Sequence, residues 1–296
     1  MSAEAVIQLR AGDWRASLTP GLGGAILDLS LHGRSVLRPT PKGATDLLET
    51  ACFPLVPYAN RIADARFVFE GREVRLTALD RFAPHAHHGD GWLKPWAVEA
   101  VDDASADLRL DWSDQAAAQA GGWPWPWRAR QAVRLTDQGL EISLSVTNTG
   151  DTVMPAGLGL HPYFPRHPDT RLRLSATGVW LTDARGIPER LAAPDAVADW
   201  GDGLALAEAP FVDHAYAGWT GEALLDGDGH RIVLNGGAGA DWVQVYAPVG
   251  ADFFCVEPVT HRPDILNGAS GEAGGLARLA PGEHLTLVMR LTAEAI

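Results

Sequence analysis

The feature that most constrains the fold is a succession of short alternating apolar segments that are joined in pairs by turn residues. Residues 67–69 and 74–76 flank Glu70-Gly71, residues 129–135 and 140–146 flank Asp137-Gln138-Gly139, and residues 224–225 and 232–234 flank Asp226-Gly227-Asp228-Gly229. Such pairs predict antiparallel hairpins. Further strands are predicted over 172–174, 242–246 and 284–291, and one short helix is predicted over 112–120. With 32 Gly and 20 Pro spread along the chain, the pattern predicts an all-β antiparallel fold, either a sandwich or a barrel.

The chain shows no internal repeat and no long Gly-, Pro- or Ser-rich linker, so residues 1–296 are predicted to form one domain. The Asp226-Gly227-Asp228-Gly229 segment has the acidic character of a calcium loop. It lacks the later Gly and Glu of an EF-hand, so a hairpin turn is the favoured interpretation.

The charge and composition of the chain limit the kinds of partner that it is expected to bind. The net charge of −13 and the pI of about 5.1 disfavour nucleic acid and anionic membrane surfaces. No apolar run approaches the ~18 residues of a membrane span, and the N-terminus lacks the pattern of a signal peptide. Two cysteines, Cys52 and Cys255, do not argue for a disulfide, so a cytoplasmic location is predicted.

Two carboxylates follow apolar segments. Glu257 comes directly after the apolar residues 253–256, and Asp213 follows Phe211-Val212. A carboxylate that leaves an apolar strand needs a hydrogen-bonding partner or a raised pKa. Glu257 is therefore either a paired structural group or a base that faces a pocket, and Asp213 is either a site residue or a turn residue at a strand end.

Histidines and one arginine supply further candidates. His161 lies between a Gly- and Leu-rich segment and Pro162-Tyr163-Phe164, where it is either a proton donor or a core histidine. Three histidines, His85, His87 and His88, suggest a metal site, but a further ligand at a defined spacing is missing. A loop that binds a small ligand is the favoured interpretation, and no metal is predicted. Arg61, next to Asn60, is either a donor to hydroxyls or part of a surface ion pair.

The eleven tryptophans are numerous for this length, and Trp123, Trp125 and Trp127 alternate with prolines. Indole rings stack on sugars, but they also fill β-sandwich cores. Core packing is the favoured interpretation for most of them.

The ordered set of motifs resembles the aldose 1-epimerase (galactose mutarotase) family. The resemblance rests on Asn60-Arg61-Ile62 before the residue 67–71 hairpin, His88-Gly89 before Trp92 and Trp96, His161 with Tyr163-Phe164, Asp213-His214, and Glu257-Pro258-Val259-Thr260 with Pro263 and Asn267 beyond. These landmarks span about residues 50 to 270. Each motif is short, and their shared order is what makes the resemblance specific. The family often has Asn where this chain has His85.

The resemblance implies a large antiparallel β-sandwich, of the galactose mutarotase-like supersandwich type, with a sugar on its concave face. It implies that Glu257 is the general base for the anomeric hydroxyl and that His161 is the general acid for the ring oxygen. Arg61, His88, Asp213 and Asn60 would bind the substrate. The implied protein is an isomerase that takes a small-molecule sugar, needs no cofactor, and is a monomer or homodimer.

Three alternatives remain open at this point. A hexose-6-phosphate 1-epimerase would need a cationic pocket, and its candidate donors are Arg61, Arg66, Lys94, Arg166 and Arg262. A non-catalytic sugar-binding sandwich is a second alternative. A glycoside hydrolase is the third, and it would need Glu257 and Asp213 at a suitable separation.

Overall fold

The computed structural model describes residues 6–113, 115–268 and 274–296, and the regular secondary structure of these residues is almost wholly β-strand. The strands are β1 (Ile7–Ala11), β2 (Trp14–Thr19), β3 (Ala25–Leu31), β4 (Arg34–Ser35), β5 (Pro54–Leu55), β6 (Arg61–Ile62), β7 (Arg66–Phe69), β8 (Arg72–Arg75), β9 (Ala86–His87), β10 (Ala97–Val101), β11 (Ser105–Trp112), β12 (Trp127–Thr136), β13 (Gly139–Asn148), β14 (Met154–Ala156), β15 (Gly159–Leu160), β16 (Tyr163–Pro165), β17 (Arg171–Leu174), β18 (Gly178–Thr182), β19 (Pro188–Ala192), β20 (Leu204–Ala205), β21 (Val212–Ala217), β22 (Glu222–Gly227), β23 (His230–Gly236), β24 (Trp242–Ala247), β25 (Phe253–Val259), β26 (Ala277–Leu279) and β27 (His284–Ala295).

Helical structure is confined to short turns. An α-helix, α1, covers Gln115–Gln119, and 3-10 helices cover Leu47–Glu49, Ala63–Ala65, Asp80–Phe82, Gly91–Leu93 and Ile265–Asn267. Within the described residues, no helix has the length and apolar character needed to cross a membrane.

Two large antiparallel sheets form the body of the fold. One has nine strands in the order β10-β11-β12-β13-β27-β23-β22-β17-β20. The other has eight, ordered β19-β18-β21-β24-β25-β15-β5, with β16 also paired to β25. Side chains such as Leu108 and Val133 from the first sheet and Val245 and Val256 from the second belong to one buried core. Because alternate residues of β12 and β13 are buried, the nine-stranded sheet turns one apolar face inward, whereas β24 and β25 of the other sheet are buried on both faces. The predicted all-β antiparallel sandwich is confirmed.

The predicted hairpins are confirmed where local turn chemistry specified them. β7 and β8 join through Glu70-Gly71, and β22 and β23 join through Asp228-Gly229, with positive φ at all four turn residues. Two-residue turns of this kind match the twist of paired strands. Asp226, in the segment with calcium-loop character, instead binds Arg231 through a 2.6 Å contact from Nε to Oδ1. The β12–β13 hairpin forms as predicted.

The predicted helix over 112–120 is correct only in its second half. Trp112 ends β11, Asp114 lies outside the described residues, and the helix covers Gln115–Gln119. Trp112 is drawn into the strand because its indole is buried and donates to the carbonyl of Trp123 at 2.9 Å. Trp123, Trp125 and Trp127 are also buried, which confirms their packing role.

Candidate active site

Three neighbouring strands of the eight-stranded sheet carry the polar floor of a cavity. β21 holds Asp213, β24 holds Gln244 and β25 holds Glu257, with Gln244 directly opposite Glu257 in the register. β25 continues to Val259, so Glu257 lies inside the strand and not at its end. Glu257 is only 2% exposed. A carboxyl group is therefore held on a rigid strand at the bottom of the site.

Short strands and loops supply the other walls. β6 carries Arg61, His88 follows β9, and His161 lies between β15 and β16. The cavity between these walls measures about 280 Å³. All six predicted site residues line it: Asn60, Arg61, His88, His161, Asp213 and Glu257. A larger surface depression of about 680 Å³, beside the Asp46–Arg81 ion pair, is lined by none of the six.

Glu257 and His161 face each other. Oε1 of Glu257 lies 3.5 Å from Nε2 of His161. The imidazole packs nearly parallel to the rings of both Phe53 and Tyr163, each with its centroid 4.7 Å away. Nδ1 of His161 is buried and has no hydrogen-bond partner within the described part of the chain. The stacking therefore fixes the ring plane so that its one polar contact is with the carboxyl group.

Burial decides how this pair holds its proton. Desolvation raises the pKa of Glu257 well above its usual range, with the charge of Asp213 adding to this and Arg61 opposing it. Desolvation, with a contribution from Arg38, lowers the pKa of His161 to about 3. Both shifts favour uncharged groups. Without a ligand, the pair holds a protonated carboxyl beside a neutral imidazole.

A second network fixes the cation of the site. Nη2 of Arg61 lies 2.9 Å from Oδ2 of Asp213, and Nε2 of Gln244 donates to Oδ1 of Asp213 at 2.7 Å. Oδ1 of Asn60 accepts from the backbone N–H of Arg61 at 2.8 Å and from its Nη1 at 3.3 Å. Both carboxylate oxygens of Asp213 are thereby engaged. Arg61 and Asp213 can present remaining donors and lone pairs to a neutral hydroxyl without carrying net charge as a pair.

His88 is oriented by the backbone of Asn60. The backbone N–H of Asn60 donates to Nδ1 of His88 at 3.1 Å, and the backbone N–H of His88 donates to the carbonyl of Asn60 at 3.0 Å. Since desolvation lowers the pKa of His88 well below its usual range, the ring is neutral and its proton is on Nε2. His88 is a hydrogen-bond donor to the cavity.

Comparison with known proteins identifies the family. The family model of the aldose 1-epimerases matches residues 5–292. The chain belongs to the aldose 1-epimerase family. The uncharacterized protein YphB of Escherichia coli K12 is 34% identical, over 92% of this chain and 93% of YphB.

Solved structures agree with this assignment. A crystal structure of an aldose 1-epimerase candidate from Escherichia coli K12 superposes with a TM-score of 0.88 at 32% identity, covering 99% of each chain. A galactose mutarotase-like protein from Clostridium acetobutylicum superposes with a TM-score of 0.87 at 20% identity, covering 100% of this chain and 96% of the other. The second likeness shows the shared fold.

The three clustered histidines of this aldose 1-epimerase family member lie in different environments. Nδ1 of His85 accepts from the backbone N–H of Asp64 at 3.0 Å, and His85 does not line the cavity. His87 and His88 do line it. The three do not form a ligand group. The described residues bring together one set of three potential metal ligands, His161, Cys255 and Glu257, within 4.8 Å of one another. That set includes the facing imidazole and carboxyl, and burial raises the pKa of the Cys255 thiol well above its usual range, so the thiol stays protonated.

Sequence reasoning missed several residues of this site. Gln244, Phe82 and Tyr246 were not singled out, yet Gln244 holds Asp213 and the two aromatic rings line the cavity. Gln244 and Tyr246 lie in the predicted strand 242–246, and their spacing of two shows only that they share a face. No local signal tells which face of the strand meets the site, because that depends on the strands paired beside β24.

Proposed function

We propose that this protein is an aldose 1-epimerase that interconverts the α and β anomers of a free aldose. The observation that carries the proposal is the buried Glu257–His161 pair, 3.5 Å apart, at a cavity of about 280 Å³. Anomer exchange requires removal of a proton from the hydroxyl on C1 and delivery of a proton to the ring oxygen, which is bonded to the same carbon. Two facing groups with one proton between them match that requirement.

In the reaction, Glu257 takes the proton of the C1 hydroxyl while His161 protonates the ring oxygen. The bond from C1 to the ring oxygen breaks and a free aldehyde forms. Rotation about the bond between C1 and C2 exposes the other face, and the two residues return their protons as the ring closes. In the open-chain state Glu257 is protonated and His161 is neutral, which is the state that desolvation favours. The dry pair thus stabilises the ring-opened state.

The charges of the site support a free sugar over a phosphorylated one. Of the five basic residues considered as phosphate donors, Arg61 alone lines the cavity, and it is paired with Asp213. A phosphate dianion would meet no spare cation among the described lining residues and would face two carboxyl groups. The hydroxyl groups of a free sugar can both donate and accept hydrogen bonds, which suits a cavity wall that offers donors and acceptors without net charge. In a glycoside hydrolase, Asp213 would have to act as the second carboxylate beside Glu257. Its two oxygens already accept hydrogen bonds from Arg61 and Gln244, so it is poorly suited to attack a sugar carbon.

The test is Glu257→Gln. The amide keeps the shape of the carboxyl and cannot accept the proton, so we expect kcat to fall by about 10²–10⁴ while the melting temperature is retained. Anomer interconversion is followed by polarimetry or NMR with freshly dissolved sugars, and 6-phosphorylated aldoses are measured in parallel. Glu222→Gln, on an exposed position of β22, is the matched control and should keep wild-type rates. Retention of more than about a tenth of wild-type kcat in Glu257→Gln would reject Glu257 as the base.

A further inference from the structure

The cavity contains an imidazole that the proposed reaction does not use. His87 ends the two-residue strand β9, where it lies opposite Arg61 of β6 in the register. Its ring stacks on Phe82, with centroids 4.3 Å apart and planes 12° apart, and meets the ring of His88 edge-on at 3.9 Å. Two aromatic contacts and a paired strand therefore hold one face and one edge of the His87 ring in place.

The ring nitrogens of His87 have no hydrogen-bond partner among the residues that the structure describes. Its Nδ1 is buried without a hydrogen-bond partner, and its ring makes no hydrogen bond or ion pair within the described residues. The neighbouring histidines differ, because Nδ1 of His85 and Nδ1 of His88 each accept a backbone N–H. Nε2 of His87 also has no partner among the described residues, but unlike Nδ1 it is not buried, so it is the ring nitrogen that a ligand in the cavity can reach. If His87 served only as an aromatic ring in the cavity wall, its ring nitrogens would have no role.

The hydrogen-bonding role of the ring follows from its protonation. Desolvation lowers the pKa of His87 well below its usual range, with the charge of Arg61 adding to this, so the ring is neutral. A buried N–H without an acceptor is rarer than a buried lone pair without a donor. The proton is therefore assigned to Nε2, as in His88. Two adjacent imidazoles then offer two N–H donors to one cavity, which suits neighbouring oxygens of a sugar.

We propose that His87 is a substrate-specificity residue that donates a hydrogen bond to a hydroxyl of the sugar other than the one on C1. The proposal rests on the proposed function only for the identity of the ligand as an aldose. His88 and His87 would together select the arrangement of neighbouring hydroxyls. Glu257 and His161 would act on C1 regardless of that arrangement.

The test combines His87→Phe with deoxy sugars. Phenylalanine keeps the stacking on Phe82 and removes the N–H. Glucose, galactose and their 2-, 3-, 4- and 6-deoxy forms are compared by kcat and KM, and by calorimetric binding to the wild type and the variant. We expect KM and Kd for the preferred parent sugar to rise about 3- to 30-fold, with kcat changed less than threefold. One deoxy sugar lacks the hydroxyl that His87 binds, and for that sugar the variant and the wild type should have the same affinity. For the other deoxy sugars, the loss of affinity from the missing hydroxyl and the loss from the missing N–H should multiply.

The controls separate this proposal from the proposed function. His284→Phe, at an exposed position at the start of β27, should leave KM for every sugar within about twofold. A thermal melt checks that His87→Phe is folded, and His87→Gln, which restores an N–H donor, should recover part of the affinity. If the wild type binds sugars without turning them over, the proposed function fails while the binding data still decide on His87. The proposal would be overturned if the affinity losses multiplied for all of the deoxy sugars, or if the wild type bound no sugar.

Discussion

At the scale of single residues, the central quantity is the one proton shared by Glu257 and His161. A protonated carboxyl beside a neutral imidazole and a carboxylate beside an imidazolium contain the same number of protons. Burial favours the first form, and the proposed reaction of a cyclic sugar needs the second. In that reaction the hydroxyls of a bound sugar would solvate the carboxylate and shift the pair towards its working form.

This arrangement predicts the pH profile of kcat/KM. Activity should fall at low pH, where the imidazole takes a second proton with a pKa lowered to about 3. It should fall again at high pH, where the carboxyl, whose pKa is raised well above its usual range, loses the shared proton. We expect a bell with a broad plateau, measured as initial rates of anomer conversion after subtraction of the spontaneous reaction. His161→Asn should lower kcat by about 10²–10⁴ and abolish the basic limb, because the proton lost there serves as the acid only through His161. An unchanged bell in that variant would contradict the assignment.

At the scale of elements, the turn after β9 positions His88 through backbone geometry. His88 and Gly89 both have positive φ values, 62° and 72°. A Cβ on Gly89 would lie 2.4 Å from the carbonyl oxygen of Val56. Glycine is required there by both conformation and space. The turn is thereby pressed against the segment that precedes Asn60, which is how Asn60 reaches Nδ1 of His88.

Gly89→Ala should therefore be more damaging than an alanine at a glycine that has only the conformational requirement. Gly71, in the β7–β8 turn, has a φ of 78°, and a Cβ added to it would meet nothing within 4 Å beyond its chain neighbours, so Gly71→Ala is the matched control. We expect Gly89→Ala to reduce the free energy of unfolding by about 1–3 kcal/mol more than Gly71→Ala, and to raise KM. Urea denaturation and kinetics measure both effects. Equal losses in the two variants would show that the turn tolerates the extra methyl group.

At the scale of the whole molecule, the interior holds neutral imidazoles. Desolvation lowers the pKa of His87 and His88 well below the usual range, that of His161 to about 3 and that of His261 to about 4. Between these values and the unfolded pKa of about 6.5, the unfolded chain binds more protons than the folded one. Each such histidine therefore removes stability as the pH falls through that window. Buried carboxyls with raised pKa values, such as Glu257, act in the opposite direction.

One variant isolates this contribution. Nε2 of His261 accepts from the backbone N–H of Ala59 at 3.1 Å, and His261 does not line the cavity of the acid–base pair. Replacing it by glutamine should flatten the dependence of unfolding free energy on pH by about 1 kcal/mol per pH unit between pH 6 and 4.5. Urea unfolding curves across this range give the slope, and His284→Gln should keep the wild-type slope. A slope unaltered in His261→Gln would mean that His261 is charged in the folded protein.

The sequence by itself determined the features that depend on neighbours along the chain. The turns at Glu70-Gly71 and Asp228-Gly229 carry residues that suit positive φ, and the alternation around them specifies which side chains are buried. These local rules predicted the hairpins and the all-β class, and the order of the short motifs was sufficient for the family. The helix prediction was wrong at Trp112, because burial of its indole and the hydrogen bond to Trp123 outweighed the local preference for helix.

Only the tertiary structure decided which residues meet. Glu257 and His161 are 96 positions apart in the numbering of the chain, and their 3.5 Å approach depends on β16 pairing with β25. The link from Arg61 to Gln244 through Asp213 likewise joins separate strands. Of the three nearby histidines, His85 accepts a backbone N–H away from the cavity, whereas His87 and His88 line the cavity. Desolvation and long-range hydrogen bonds have no signature in a local pattern, and they are what make this set of residues a site.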